Sequence, residues 1–169
     1  MKFLQGVALY SFVGWMMEGA YHKVTCGSFK RPHFSWLPFK PMYGIAAMLM
    51  IQSQKKGKWT AVVGISSIPA LVEYISGYWL RARYGLQYWD YSQEKGNVQG
   101  LICPKFLACW ALLGTLLLYE VQPKLERWLG SAPKMWQNVL SAASLLMVTD
   151  VECNLWRRHH DRQKLALNK

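Results

Sequence analysis

Charge-free windows of 14 or 15 residues recur five times along the chain, at residues 3–17, 41–54, 59–72, 106–119 and 135–149. Four of the five run directly into an acid: Glu18, Glu73, Glu120 and Asp150. A helix that crosses a bilayer needs ~20 predominantly apolar residues, so no window suffices alone. They are either helices of a soluble bundle or membrane helices that carry carboxylates. Admitting one carboxylate lengthens the first and third to about 19 and 22 residues, enough to span, and the fifth gains length through Asp150. The pattern therefore predicts helices over residues 3–21, 41–54, 59–80, 101–121 and 135–156.

The joints fit this division. Pro32, Pro38 and Gly27 forbid a long helix between residues 22 and 40, and Phe29, Phe34, Trp36 and Phe39 suit an interfacial or re-entrant loop. Helix two opens on Pro41, a favoured first-turn residue, but is short for a full crossing. Pro69 predicts a kink in helix three, and Pro123 is expected to stop helix four. Residues 124–134 read as a charged, partly helical connector. The first apolar run continues into Glu18 without a small-x-small cleavage pattern and reads as a retained helix, not a signal peptide. The expected fold is an all-α integral membrane helical bundle of four or five transmembrane helices, with a polar-aromatic loop between helices three and four. Residues 1–156 form its single domain, and residues 157–169 a basic juxtamembrane tail.

Composition supports that class. Hydrophobic residues make up 52% of the 169 and charged ones 17%, below the ~25% charged usual for soluble domains. Nine Trp and nine Tyr match the aromatic belts of membrane interfaces. The mean hydropathy of +0.01 looks polar for such a protein until the loops, tail and internal acids are counted. A net charge of +11 invites a nucleic-acid partner. Here, though, the basic residues gather at helix ends (Lys30-Arg31, Lys55-Lys56, Arg81 with Arg83, Arg157-Arg158), as snorkelling cations do, so no nucleic acid is expected. Loops one and three with the tail hold twelve cations against seven on the opposite side, which places the C-terminus in the cytoplasm. The expected setting is the cell membrane, crossed several times, with membrane lipid around the chain and anionic lipid at the tail.

A carboxylate inside a membrane helix is costly and marks a functional site by default. Glu18 shares a helical face with Ser11, Gly14 and Trp15. The alternative is an interfacial ion pair with Lys23 or Arg31. Glu73 lies deep in helix three, behind Pro69 and within reach of Arg81, and serves either a ligand or proton site or helix–helix adhesion. Asp150 and Asn154 form an internal stripe that faces either a ligand or a cation such as Lys105 or Arg81. The densest polar-aromatic cluster is Gln87-Tyr88-Trp89-Asp90-Tyr91-Ser92 through Asn97-Val98-Gln99-Gly100. In it Asp90 and Ser92 can close turns on backbone amides, and the rings can wall a pocket. There is no Walker A loop, GxSxG, HExxH or dinucleotide fingerprint. The four cysteines have no CxxC spacing and the histidines lie in loop or tail, so no metal or cofactor is expected.

Five blocks carry a family resemblance: Tyr10-Ser11-Phe12-Val13-Gly14-Trp15-Met16-Met17-Glu18, Pro41-Met42-Tyr43-Gly44, Glu73-Tyr74-Ile75-Ser76-Gly77, Trp89-Asp90-Tyr91-Ser92 and Asn97-Val98-Gln99-Gly100-Leu101-Ile102-Cys103. In this order and spacing they resemble the CmpB-like group of small bacterial membrane proteins known as Putative ABC-transporter type IV. The Trp-Asp-Tyr-Ser block followed by Asn-x-x-Gly is the most specific part. The chain departs from the group at Lys30-Arg31-Pro32-His33-Phe34, and at Leu101, where an Arg is usual and for which Lys105 could substitute. The resemblance implies transport without naming a substrate, and a chain this small would need a second copy or a partner membrane subunit to form a pathway.

These readings converge on one expected pocket for a small polar or lipid-like molecule. Its candidate residues are Ser11, Trp15, Glu18, Tyr43, Glu73, Tyr74, Trp89, Asp90, Tyr91, Ser92, Asn97 and Asp150. The rival functions are an intramembrane enzyme with Glu73 or Asp90 as general base on a lipid or prenyl substrate, and a non-catalytic assembly partner.

Overall fold

The computed structural model of the protein describes residues 1–29 and 34–167 and is all-helical. Its elements are α1 (Phe3–Cys26), α2 (Pro41–Lys55), α3 (Lys58–Tyr84), α4 (Pro104–Leu116), a π-helical turn (Leu117–Val121), α5 (Gln122–Ser131) and α6 (Lys134–Leu167). Among the described residues the sole β pairing is an isolated antiparallel bridge between Val98 and Ile102.

The short helix α2 is central. Its Met48, Met50 and Ile51 pack with Val7 and Ala8 of α1, Ile65 of α3, Leu118 of the π turn and Met147 of α6 in one buried cluster. Small residues make this possible. A Cβ added at Gly44 would stand 2.0 Å from the Val7 carbonyl oxygen and 2.4 Å from Ser11 Oγ, so α1 and α2 touch backbone to backbone. On α1, Gly14 leaves room for the Tyr43 ring and Gly6 for the Met48 thioether. Buried polar ties cross-link the helices. Gln5 Nε2 donates to Ser141 Oγ at 2.9 Å, joining α1 to α6, and the Tyr10 hydroxyl donates to Gln122.

Two predicted boundaries are corrected. Pro123 does not stop the fourth helix: α4, the π turn and α5 make one rod over Pro104–Ser131. In the π turn the Gln122 N–H bonds to the Leu117 carbonyl, one residue further back than in an α-helix. The Leu118 carbonyl is thereby left to a residue, Pro123, that has no N–H. Gln54 Nε2 of α2 reaches that carbonyl instead, at 3.4 Å. The fifth predicted helix does not end at Trp156 either; α6 continues through the basic residues to Leu167. Helix α3 runs unbroken across Pro69.

By length and apolar composition, three helices are able to cross a membrane: Lys58–Tyr84, Pro104–Ser131 and Lys134–Asp161. At ~1.5 Å per residue, the 24 residues of α1 are long enough but carry Glu18 and Lys23 along their length, and the 15 of α2 are short. The aromatic segment before α2, the loop after α3 and the end of α6 meet at one end of the bundle. There the Arg157 guanidinium lies 4.7 Å from the Trp36 ring centre, and Arg158 donates to the Tyr88 hydroxyl at 3.0 Å.

Gly44→Ala is expected to cost about 1–3 kcal/mol, the range for overpacking a tight contact, and to lower the melting temperature in detergent. Gly130→Ala, where an added Cβ meets nothing within 4 Å, should leave it unchanged or raise it slightly. Equal melting temperatures for the two variants would remove the α1–α2 backbone contact as a determinant of the fold.

Candidate functional site

Three pieces of chain bring polar groups to the loop-bearing end of the bundle. The first is the segment leading into α2. Its Trp36 and Leu37 amides donate to the Asp150 carboxylate at 3.1 and 3.4 Å, and the Lys40 amide donates to the Ser11 carbonyl at 3.1 Å. Held this way, the segment delivers Lys40 and Tyr43 to the side of α1 that carries Glu18. Lys40 forms an ion pair with Glu18, and the Tyr43 hydroxyl donates to the other Glu18 oxygen at 3.1 Å.

The second piece is the loop between α3 and α4. The Asp90 carboxylate accepts the Ser92 amide at 2.9 Å. Asn97 Nδ2 donates to the Ser92 and Glu94 carbonyls, and its Oδ1 accepts the Gly100 amide at 3.0 Å. Gly100 has φ +69°, and a Cβ there would stand 2.7 Å from Asp90 Oδ1, so both backbone shape and space call for glycine. Trp89 donates its indole N–H to the Leu101 carbonyl at 2.9 Å and lies against Gly77 of α3. Arg81 does not reach back to Glu73; its guanidinium donates to the Gln99 carbonyl and side chain, each at 2.9 Å. Lys105 pairs with Glu94 at 2.7 Å, so it faces this loop and not Asp150.

The third piece is Glu73 itself, 3% exposed on α3. Its two oxygens each accept one hydrogen bond, Oε1 from the Tyr91 hydroxyl and Oε2 from the Trp110 indole N–H, both at 2.9 Å. A buried carboxylate is tolerated when donors satisfy it, and here α4 and the loop each supply one. Burial, and then the neighbouring Glu73 charge, push the Tyr91 hydroxyl above its ordinary pKa, which keeps it a neutral donor. The Tyr43 and Trp110 rings lie 5.0 Å apart and connect the Glu18 and Glu73 groups.

These groups wall a cavity of about 480 Å³ between α1, α2, α3, α4 and the loop, within the size range of small-molecule sites. Glu18, Tyr43, Glu73, Trp89, Asp90 and Tyr91 line it. A second cavity of about 370 Å³ lies between the segment before α2, the end of α3 and α6, with carbon-rich walls such as Phe39, Ile45 and Leu155. The two share Glu18, Met42 and Trp89.

The other candidate residues lie elsewhere. Ser11 is fully buried beneath Gly44. Trp15 stands between the Phe12 and Phe29 rings, and Tyr74 stacks on Tyr78. Ser92 and Asn97 shape the loop without lining the cavity. Asp150, 6% exposed, anchors the segment before α2 and also accepts from Asn154 Nδ2 at 3.0 Å. Of the partners expected for Glu18, Lys23 donates to the Gly27 carbonyl, and Arg31 lies outside the described residues. Lys40, Tyr21, Met42, Phe106 and Trp110 escaped sequence reasoning. A tryptophan inside an apolar window is itself a signal, since a buried indole N–H must find an acceptor.

Two measurements test this construction. Tyr91→Phe removes one donor from Glu73 and is expected to cost about 1–3 kcal/mol, the penalty of an unsatisfied buried acceptor. In a Glu73→Leu background the same change should cost far less, and additive losses in this double-mutant cycle would deny the contact. Asp150→Ala should speed hydrogen exchange at the Trp36 and Leu37 amides by at least about tenfold, equivalent to ~1.4 kcal/mol; unchanged protection there would show that other contacts hold the segment.

A family model described as Putative ABC-transporter type IV matches residues 7–154. The matched span begins within α1, ends within α6 and includes every residue named above as lining the larger cavity. No curated protein and no solved structure matches the chain. Three helices long and apolar enough to cross a membrane and a family match over most of the chain fit a transporter-associated membrane protein. The chain belongs to the Putative ABC-transporter type IV family.

Proposed function

We propose that the protein is a multi-pass component of the cell membrane. In this reading its larger cavity binds a small polar or lipid-like molecule as part of a transport assembly. The observation that carries this is Glu73, a buried carboxylate on a candidate membrane span, set in the wall of a cavity of about 480 Å³. Burying such a group has a cost that adhesion between apolar helices does not require. The binding reading is favoured over general-base chemistry because both Glu73 oxygens are engaged by donors, while Asp90 is held in a local turn.

In the membrane α1, α3, the α4–α5 rod and α6 cross, with α2 as a shorter return packed among them. This order puts the loops on either side of α3 on opposite faces. It also gathers the cavities, the aromatic segment and the end of α6 on the cation-rich side, which the charge bias assigns to the cytoplasm. A single chain of this size encloses a site but no pathway, so a second copy or a partner membrane subunit completes the assembly.

Native mass spectrometry of the detergent-purified chain tests both parts. The expected spectrum shows a bound small molecule or lipid whose occupancy falls several-fold in Trp110→Ala, together with a species larger than the monomer or a co-purifying subunit. Occupancy equal in wild type and variant would place the molecule elsewhere. An adduct-free spectrum with lowered thermal stability in Glu73→Gln would favour a purely adhesive role for the carboxylate.

A further inference from the structure

The larger cavity has a definite chemical character. Its walls carry three carboxylates, Glu18, Glu73 and Asp90, and six aromatic rings: Tyr21, Tyr43, Trp89, Tyr91, Phe106 and Trp110. Among the described residues no Lys, Arg or His lines it. The two deeper acids differ in how their charge is balanced. Glu18 is paired with Lys40, which lines the neighbouring cavity. Glu73 has only neutral donors, a phenol and an indole, and among the described residues no cation pairs with it. Such donors satisfy the lone pairs of a carboxylate without neutralising it, and in a low-dielectric site the remaining negative potential is large. Aromatic faces add to that potential, since their quadrupoles attract cations within about 6 Å of the ring centre. Rings with carboxylates behind them are the arrangement that recognises ammonium groups. An anion would face Glu73 and Asp90 with no cation between them, and an uncharged ligand would gain only a hydrogen bond from Glu73, without the charge–charge attraction.

We propose that this cavity takes an organic cation, an ammonium or quaternary ammonium group with small apolar substituents, seated against Glu73 and the Tyr43, Tyr91 and Trp110 rings. The assignment rests on the reading of the cavity as a binding site and specifies its ligand class. Asp90, exposed where the loop meets the cavity, attracts the cation at entry. Glu73 supplies the charge that holds it, and the rings exclude water and select for the bulky, weakly hydrated head.

The test is calorimetric titration of the detergent-solubilised full chain with choline, with its uncharged carbon isostere 3,3-dimethyl-1-butanol, and with butyrate. Displacement of any co-purified adduct is followed in parallel by native mass spectrometry. Choline is expected to bind saturably and displace the adduct, with the uncharged isostere and butyrate at least tenfold weaker. Glu73→Gln and Trp110→Leu should each weaken choline at least tenfold, whereas Trp128→Leu, on an exposed position of α5, should not. The wild-type comparison of the three probes stands even if a variant fails to fold. An adduct displaced equally well by the neutral or anionic probe overturns the cation assignment and leaves the binding function intact. No adduct and no binding by any probe overturns both.

Discussion

The carboxylate of Glu73 must be satisfied inside the bundle, and much of the architecture at the loop-bearing end follows from that requirement. It sits 3% exposed on a helix apolar enough to cross a membrane, where an ionised group without partners would cost several kcal/mol or more. Its two donors come from opposite directions: Trp110 from α4 and Tyr91 from the loop. For both to arrive, α4 must pack against α3 at that level and the loop must fold back over the helix ends. The Asp90 turn, the Asn97 bridges, the positive φ at Gly100 and the Trp89–Gly77 contact are the means by which a polar loop holds one phenol in place. Most of these features fall within one short stretch of loop, and together they serve one hydrogen bond.

Helix α2 makes the corresponding arrangement around Glu18. It is too short to shield a site by length, so it works by proximity. Gly44 lets it lie backbone against backbone with α1, and its first turn then carries Tyr43 to Glu18 while the preceding Lys40 closes the ion pair. Asp150 adds a tether to the segment before α2 through two backbone amides. Asp150 thus influences the cavity from a distance by fixing where α2 begins. Because Lys40 is taken up by Glu18, it does not balance Glu73, and the two carboxylates on neighbouring helices have different chemistry.

Much of this was legible in the sequence because its signals are local. Apolar windows ending in acids gave the helices, Pro41 gave the start of α2, and Trp-Asp-Tyr-Ser with Asn-x-x-Gly marked a loop that does build one wall. The joints and partners were less legible, since they depend on contacts between distant residues. Pro123 is a sound helix stop on local grounds. What lets the helix pass is a π turn whose spare carbonyl is met by Gln54, 64 positions earlier, and no window of sequence contains both. Arg81 stood at the right helical spacing for Glu73, but the left-handed backbone at Gln99 (φ 55°) turns that residue's carbonyl and side chain toward the guanidinium. Ser11 shares a helix face with Glu18 as expected, yet that face is divided. Its upper part meets Gly44 and only the level of Glu18 opens on the cavity.

The division of that face explains why one short helix can separate two cavities of different character. Glu18, Met42 and Trp89 belong to both, so the partition consists of a neutralised ion pair, a flexible thioether and a ring fixed by its own hydrogen bond. On one side lie carbon-rich walls from α3, α6 and the anchored segment; on the other lie rings backed by an unneutralised carboxylate. Glu18 has Lys40 as its counter-ion, whereas among the described residues Glu73 meets neutral donors alone; in the proposed cation site this difference directs the positive group to the aromatic side. Exchanging the two roles, with Lys40 at Glu73 and none at Glu18, would put a lone charge against the carbon-rich cavity and remove the potential from the aromatic one. Two anchors, Gly44 of α2 seated against α1 and the Asp150 carboxylate under residues 36–37, decide which carboxylate the lysine reaches, and with it which cavity the proposed cation would occupy.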